Sequence, residues 1–192
     1  MTERQQTLQF LTQTELKCLL DKAKTESPRD YAMVLLAYRH GLRATEVCNI
    51  TVENVDLDAK NIRCERGKGS ISNWQLLAED EIKAIKTWMK KRPKSESNYV
   101  FTSRKGSPVS RSQFFRVFQH LAEETGLAPE KRHPHTLKHS LATHLSSAGL
   151  PPQIIQNRLG HRSIQSTMVY VAVSSGFVDR MVSSALASGN VV

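Results

Sequence analysis

VENVDLDAKNIRCERGKGSISNWQLL, residues 52–77, interrupts a chain that elsewhere repeats its apolar residues at helical spacing. Its apolar groups are short, and Asp58-Ala59-Lys60-Asn61 and Gly67-Lys68-Gly69-Ser70 supply two turns, so the stretch predicts a small three-stranded antiparallel sheet. Upstream, Thr12-Gln13-Thr14-Glu15 has the capping-box spacing ahead of Leu16, Leu19 and Leu20, which starts a helix running to about Lys24. Ser27-Pro28 opens a second helix with Tyr31, Val34, Leu35 and Tyr38 on its apolar face, and Gly41 stands where a left-handed residue should end it. A third helix is expected from about Ala44. Downstream, helices are expected over Glu79 to Lys91, after the capping-box spacing of Ser110 and Gln113, and over Pro134 to Ala148, Pro152 to Leu159 and Ser163 to about Val171. Phe114, Phe115 and Phe118 are read as core, and Asn98 to Pro108 as a loop with one short extended piece. The fold class is therefore α+β, mainly helical, in one domain over residues 1–192.

Composition narrows the function classes. No apolar run approaches the roughly 18 residues of a membrane span, and Met1 to Gln9 lacks the apolar core of a secretory signal. Cys18, Cys48 and Cys64 are odd in number and show no CxxC spacing, so neither a disulfide framework nor a zinc knuckle is indicated, and a cytoplasmic location fits. Lys and Arg number 27 against 18 Asp and Glu, a net charge of +9 that favours a polyanionic partner. The charge is also segregated. Arg104, Lys105, Arg111 and Arg116 lie in an acid-free stretch, and Lys131 to Arg162 carries cations and histidines with no Asp or Glu. A merely solvated surface would interleave both signs, so a basic face for nucleic acid is expected.

Five motifs hold residues suited to chemistry on phosphate: HGLRATE (40–46), GKG (67–69), HPHTLKHS (133–140), LGHRS (159–163) and Tyr170. Singly, Arg43 could be a charge near a helix end and Tyr170 an ordinary half-buried tyrosine. Together, and in this order, they resemble the catalytic domain of the tyrosine recombinases, the phage-integrase family, over about Leu8 to Val178. With VFTSRKGSPVSR (100–111) the chain is most similar to the small fimbrial-switch invertases among them.

The resemblance implies the tyrosine-recombinase catalytic-domain fold and a role for each matching position. Tyr170 would attack the scissile phosphate to give a 3′-phosphotyrosine and a free 5′-hydroxyl. Arg43, His161 and Lys138 would hold the non-bridging oxygens, Lys68 would protonate the leaving 5′-oxygen, His135 matches the histidine of the His-x-x-Arg box, and Glu46 supports the site. The chemistry demands such a setting: a phenol with pKa near 10 is ionised to about one part in a thousand at pH 7, a handicap of roughly 4 kcal/mol. Neither metal nor nucleotide cofactor is expected, since the covalent link conserves the phosphodiester energy. His135 and His139 are four apart on a helix, but the Glu of a zinc-binding His-Glu-x-x-His is missing. Arg66, Arg104, Lys105, Arg111, Arg132 and Arg162 are candidate DNA contacts.

Three departures stand out, one being that Ser70, Ile71 and Ser72 follow the GKG turn in place of the further basic residues frequent in the family. Lys138 occupies a position where the family usually has Arg, keeping the charge but losing the bidentate fork. Thr12 begins a helix where many relatives carry an N-terminal DNA-clamping domain. The expected function is site-specific recombination by inversion, integration or excision. The expected partners are double-stranded DNA, other copies of the chain (a tetramer in the synapse, with residues from about 174 to 192 docking on a neighbour), and an accessory DNA-bending protein. The alternatives are a catalytically weakened DNA-binding accessory or regulatory protein of the same fold, and a type IB topoisomerase.

Overall fold

The computed structural model describes residues 8–94 and 96–173, with 183, 186 and 187. The expected docking tail, about 174–192, lies outside the described residues apart from those three. The elements are α1 (Gln13–Glu26), α2 (Pro28–Arg39), α3 (Ala44–Cys48), β1 (Val55–Asp56), β2 (Asn61–Cys64), β3 (Asn73–Leu76), α4 (Glu79–Lys91), α5 (Arg111–Glu124), α6 (His135–Ser147), α7 (Pro152–Leu159) and α8 (Gln165–Val173). Single 3₁₀ turns at Val52–Asn54 and Pro129–Lys131, unsignalled by periodicity, complete the path.

The caps act where the sequence places them. Thr12 Oγ1 accepts from the Glu15 N–H at 3.2 Å while Glu15 Oε2 accepts from the Thr12 N–H at 2.7 Å, satisfying two of the free donors that begin α1. Ser110 and Gln113 repeat this exchange at α5. Ser27 Oγ accepts from the Asp30 N–H, with Pro28 in the first turn of α2. Every residue from Ala32 to Ala37 is buried, because α2 is central and packs against α1, α4 and α6.

The strands pair antiparallel in the order β1-β2-β3, with Val55 opposite Ile62, Ile62 opposite Gln75 and Cys64 opposite Asn73. Alternation turns Ile62, Cys64 and Gln75 inward, where Gln75 Oε1 lies 2.9 Å from Nδ1 of the fully buried His40. The other ring nitrogen of His40 lies 2.9 Å from Glu81 Oε1, so one imidazole joins the end of α2 to both the sheet and α4.

The main core gathers Leu19, Met33, Leu36, Ile62, Ile85, Phe101, Phe114 and Phe118; a second, smaller cluster joins Leu141, Ala142, Ile155 and Leu159 to Tyr170. Phe115 departs from its expected place in the core, for it is 39% exposed. Phe114 and Phe118 are four apart and share a face, whereas one residue of helix turns Phe115 by about 100° toward solvent. Among the described residues no helix is long and apolar enough to cross a membrane.

The sheet and the C-terminal helices meet at one backbone contact. The Ile71 N–H donates to the Gly160 carbonyl at 2.9 Å, and Ser70 pairs antiparallel with His161. Gly160 ends α7 in the left-handed region at φ 66°, and a Cβ there would lie 2.6 Å from the Ile71 carbonyl oxygen. Gly160→Ala should destabilise the chain by at least about 1–2 kcal/mol from the left-handed backbone alone, with the displaced contact adding to it. Urea unfolding at neutral pH checks this, and a variant within 0.5 kcal/mol of the parent, about the range of an ordinary surface change, would contradict it.

Candidate active site

The site begins with a buried carboxylate. Glu46 on α3 accepts from the Arg43 N–H at 2.9 Å, the Gly67 N–H at 3.1 Å, Arg43 Nη1 at 3.0 Å and Arg66 Nη1 at 3.2 Å. Burial raises its pKa, but those N–H groups and the charges of Arg66 and Lys138 outweigh it, so the carboxyl sits below its ordinary range. Arg43 is held at both backbone and side chain, and its Nη1 also donates to Ser70 Oγ at 3.1 Å. Its side chain is nevertheless 38% exposed, free to meet an incoming anion. Lys68 stands exposed at the tip of the Gly67–Ser70 turn, whose Ser70 N–H closes onto the Gly67 carbonyl at 3.1 Å.

Helix α6 supplies the next layer. His135 and His139, one turn apart, meet edge to face with ring centroids 4.5 Å apart. His139 Nδ1 lies 2.9 Å from the Tyr170 hydroxyl. His161, just past α7, stacks near Tyr170 at 6.4 Å and an interplanar angle of 16°, and its Nδ1 lies 2.9 Å from Oγ1 of the buried Thr167. Desolvation, then nearby positive charge, lowers the pKa of His135, and takes His139 and His161 down to about 4. The last two are therefore neutral at pH 7. Tyr170, 4% exposed on α8, is pushed up to about 12 by burial, with the Arg43 charge opposing that rise.

Lys138 shares this cluster but turns its head inward. Its ammonium is buried and donates to the Leu159 carbonyl at 2.9 Å. Burial, then the positive charges of Arg66 and Arg43, bring its pKa down to about 7, with Glu46 pulling the other way. Of the residues expected around the phosphate, the structure thus groups Arg43, His135, Lys138, His161 and Tyr170 within electrostatic reach of one another. Lys68 itself stays exposed, and it is the turn carrying it that Ser70 fastens to Arg43 and His161.

The expected DNA contacts divide. Arg104, Lys105, Arg111 and Arg162 are exposed, and Arg111 lines a cleft of about 360 Å³ with Arg43, Phe115, His133 and His135. Arg66 requires correction: its side chain is wholly buried and donates to the carbonyls of His40, Gly41 and Arg158, so in this conformation it fastens the fold and cannot reach DNA. Arg132 is half-buried, donating to the Leu127 carbonyl and lying 3.4 Å from Glu123. His144 bridges Tyr38 and the Leu11 carbonyl, a packing role. From the sequence His139 reads as structural or DNA-facing, not as a neighbour of Tyr170, and Thr167 carries no expectation. Their signals were spacings, His139 four beyond His135 and Thr167 three before Tyr170.

A lone tyrosine set among histidines and cations on a mainly helical α+β fold defines a class of DNA strand transferase. The chain belongs to the phage integrase family, the tyrosine-type site-specific DNA recombinases, whose sequence profile matches residues 9–176. It is 40% identical over 172 residues to the type 1 fimbriae regulatory protein FimB of Escherichia coli K12, covering 87% of this chain and 86% of that protein. Tyrosine recombinase XerD of Vibrio cholerae is 32% identical over 173 residues, 86% of this chain but only 57% of XerD. The crystal structure of XerA recombinase superposes with a TM-score of 0.79 at 28% identity, covering 91% of this chain and 64% of that one.

Because the Glu46 pKa is lowered on folding, its contribution to stability is complete above the ordinary carboxylate value and is lost as pH falls through the folded one. Glu46→Gln, which leaves Arg66 buried without its anion, should cost about 3–5 kcal/mol and flatten the acid limb of stability. Unfolding by urea from pH 7 down to pH 3 measures both effects.

Proposed function

We propose that the chain recombines double-stranded DNA through a 3′-phosphotyrosine on Tyr170. The observation that carries the reading is the placement of the Tyr170 hydroxyl 2.9 Å from His139 Nδ1, with Arg43 near enough for its charge to act on Tyr170 and, with Lys138, on His161. Tyr170 Oη forms a bond to phosphorus and the bond to the 5′-oxygen breaks. Arg43 and His161 stabilise the charge that develops on the non-bridging oxygens. His135, which lines a cleft with Arg43 and Arg111, faces the phosphate, and Glu46 keeps Arg43 aimed. Lys68 gives its proton to the departing 5′-oxygen, a task suited to a mobile ammonium on a turn. Attack by another 5′-hydroxyl on the phosphotyrosine reverses these steps and seals a new strand.

Residues 1–192 act as one catalytic domain, and the motif resemblance to the small fimbrial-switch invertases favours inversion, ahead of integration or excision. Exposed Arg104, Lys105, Arg111 and Arg162 hold the DNA backbone, so binding weakens as salt rises. Exchange between two sites calls for a tetramer of this chain, with the tail docking on a neighbour and an accessory DNA-bending protein adding contact area, in the cytoplasm where the DNA lies.

The inward turn of Lys138 favours a second reading, a DNA-binding accessory or regulatory protein with weakened chemistry. A nicked suicide substrate separates the two. The parent chain should form a covalent adduct and Tyr170→Phe none; binding without adduct in the parent supports the accessory reading, and an adduct on Tyr170→Phe removes the nucleophile assignment. Lys138→Arg restores a fixed charge and fork, and should speed adduct formation about tenfold or more. With the Lys138 pKa near 7 in the free chain, its charge is lost as pH rises through that value. At limiting DNA the parent rate should therefore fall above about pH 7, while that of Lys138→Arg holds.

A further inference from the structure

We propose that His139 is a further catalytic residue, the group that accepts the phenolic proton of Tyr170 as its oxygen bonds to phosphorus. The inference rests on Tyr170 being the nucleophile. Its geometric basis is the 2.9 Å approach of His139 Nδ1 to the Tyr170 hydroxyl, the distance over which a positioned base takes a proton. His161, the other ring against Tyr170, has its Nδ1 engaged with Thr167, and Lys138 has turned to the Leu159 carbonyl. Helix geometry aims His139 reliably: it lies one turn beyond His135, whose ring packs on it edge to face at 4.5 Å, and the α6 and α8 backbones pack together.

The proton balance is complete without any added reactant. The phenolic proton passes from Tyr170 Oη to His139 Nδ1, the Oη–P bond forms, the P–O5′ bond breaks, and the 5′-oxygen takes a proton from Lys68. In the resealing step the imidazolium returns its proton to the tyrosine oxygen as that oxygen leaves phosphorus. His139 must therefore rest as the neutral tautomer protonated at Nε2, with Nδ1 accepting from the hydroxyl.

The same surroundings oppose this proton transfer in the free chain. Burial, then the neighbouring His135, His133, Lys138 and His161, make an imidazolium at position 139 unfavourable, while burial keeps Tyr170 protonated. A phosphodiester anion seated against the exposed Arg43 guanidinium offsets that positive field. It makes proton acceptance by His139 easier at the moment a substrate is present. Substrate thereby switches on its own base.

The test is single-turnover adduct formation on a nicked substrate by the parent, Tyr170→Phe, Lys68→Ala, His139→Gln and His139→Asn. The two amides can still accept a hydrogen bond but not a proton. They should bind DNA like the parent and lose about 10²–10⁴-fold in rate. A substrate with sulfur in place of the bridging 5′-oxygen leaves as a thiolate and needs no acid, so it should restore Lys68→Ala but not the His139 variants. Amide variants within threefold of the parent, or restored by the sulfur substrate, overturn the proposal; an adduct on Tyr170→Phe overturns the underlying nucleophile assignment instead. Should neither amide variant fold, nitrogen NMR of ¹⁵N-histidine-labelled parent at pH 7 decides: an unprotonated Nδ1 at His139 is expected, and a protonated one is fatal to the idea.

Discussion

A carboxylate without access to water can stay ionised only if donors surround it, and at Glu46 those donors are Arg43, Arg66 and the turn that carries Lys68. One of its oxygens takes the Arg43 side chain and the Gly67 N–H that begins the Lys68 turn; the other takes the Arg43 N–H and Arg66. The hydrogen bonds that keep this anion buried also fix where the first arginine and the lysine turn stand relative to each other. Arg66 extends the arrangement, since its guanidinium reaches three carbonyls from the end of α2 and from α7.

Around that anion the site holds more positive charge than it neutralises. Arg43, Arg66 and Lys138 stand against Glu46, and the pocket responds by keeping His139 and His161 neutral and by drawing the Lys138 pKa down. These shifts record first the cost of burying the groups and then their mutual repulsion. A phosphate would relieve the repulsion, which explains why such a cluster is tolerated on a chain whose fold must also hold it together.

Much of the scaffold was legible because local rules and tertiary packing agree. The helix bounds at Glu79–Lys91 and Pro152–Leu159 follow the expectation, and the Thr12 and Ser110 caps form as their spacing suggests. The turns at 58–61 and 67–70 divide the sheet as read. What escaped was direction. Spacing could assign Arg66 a charge but not show that three carbonyls would claim it, and the run of phenylalanines hid the one-residue rotation that exposes Phe115. His139 was visible as a helical neighbour of His135, yet its contact with Tyr170 joins residues 31 apart and depends on how α8 docks on α6. Lys138 could be compared by residue type alone, whereas its partner, the Leu159 carbonyl, belongs to another helix.

The pairing of Ser70 with His161 gives the segment between β2 and β3 a property unusual for an exposed connection. Ordinary surface loops accept insertions, because their ends are close and their middles touch nothing. Here one added residue before Ile71 would shift its N–H out of step with the Gly160 carbonyl and slide Ser70 away from the Arg43 guanidinium. The length of this loop is accordingly constrained like that of a strand.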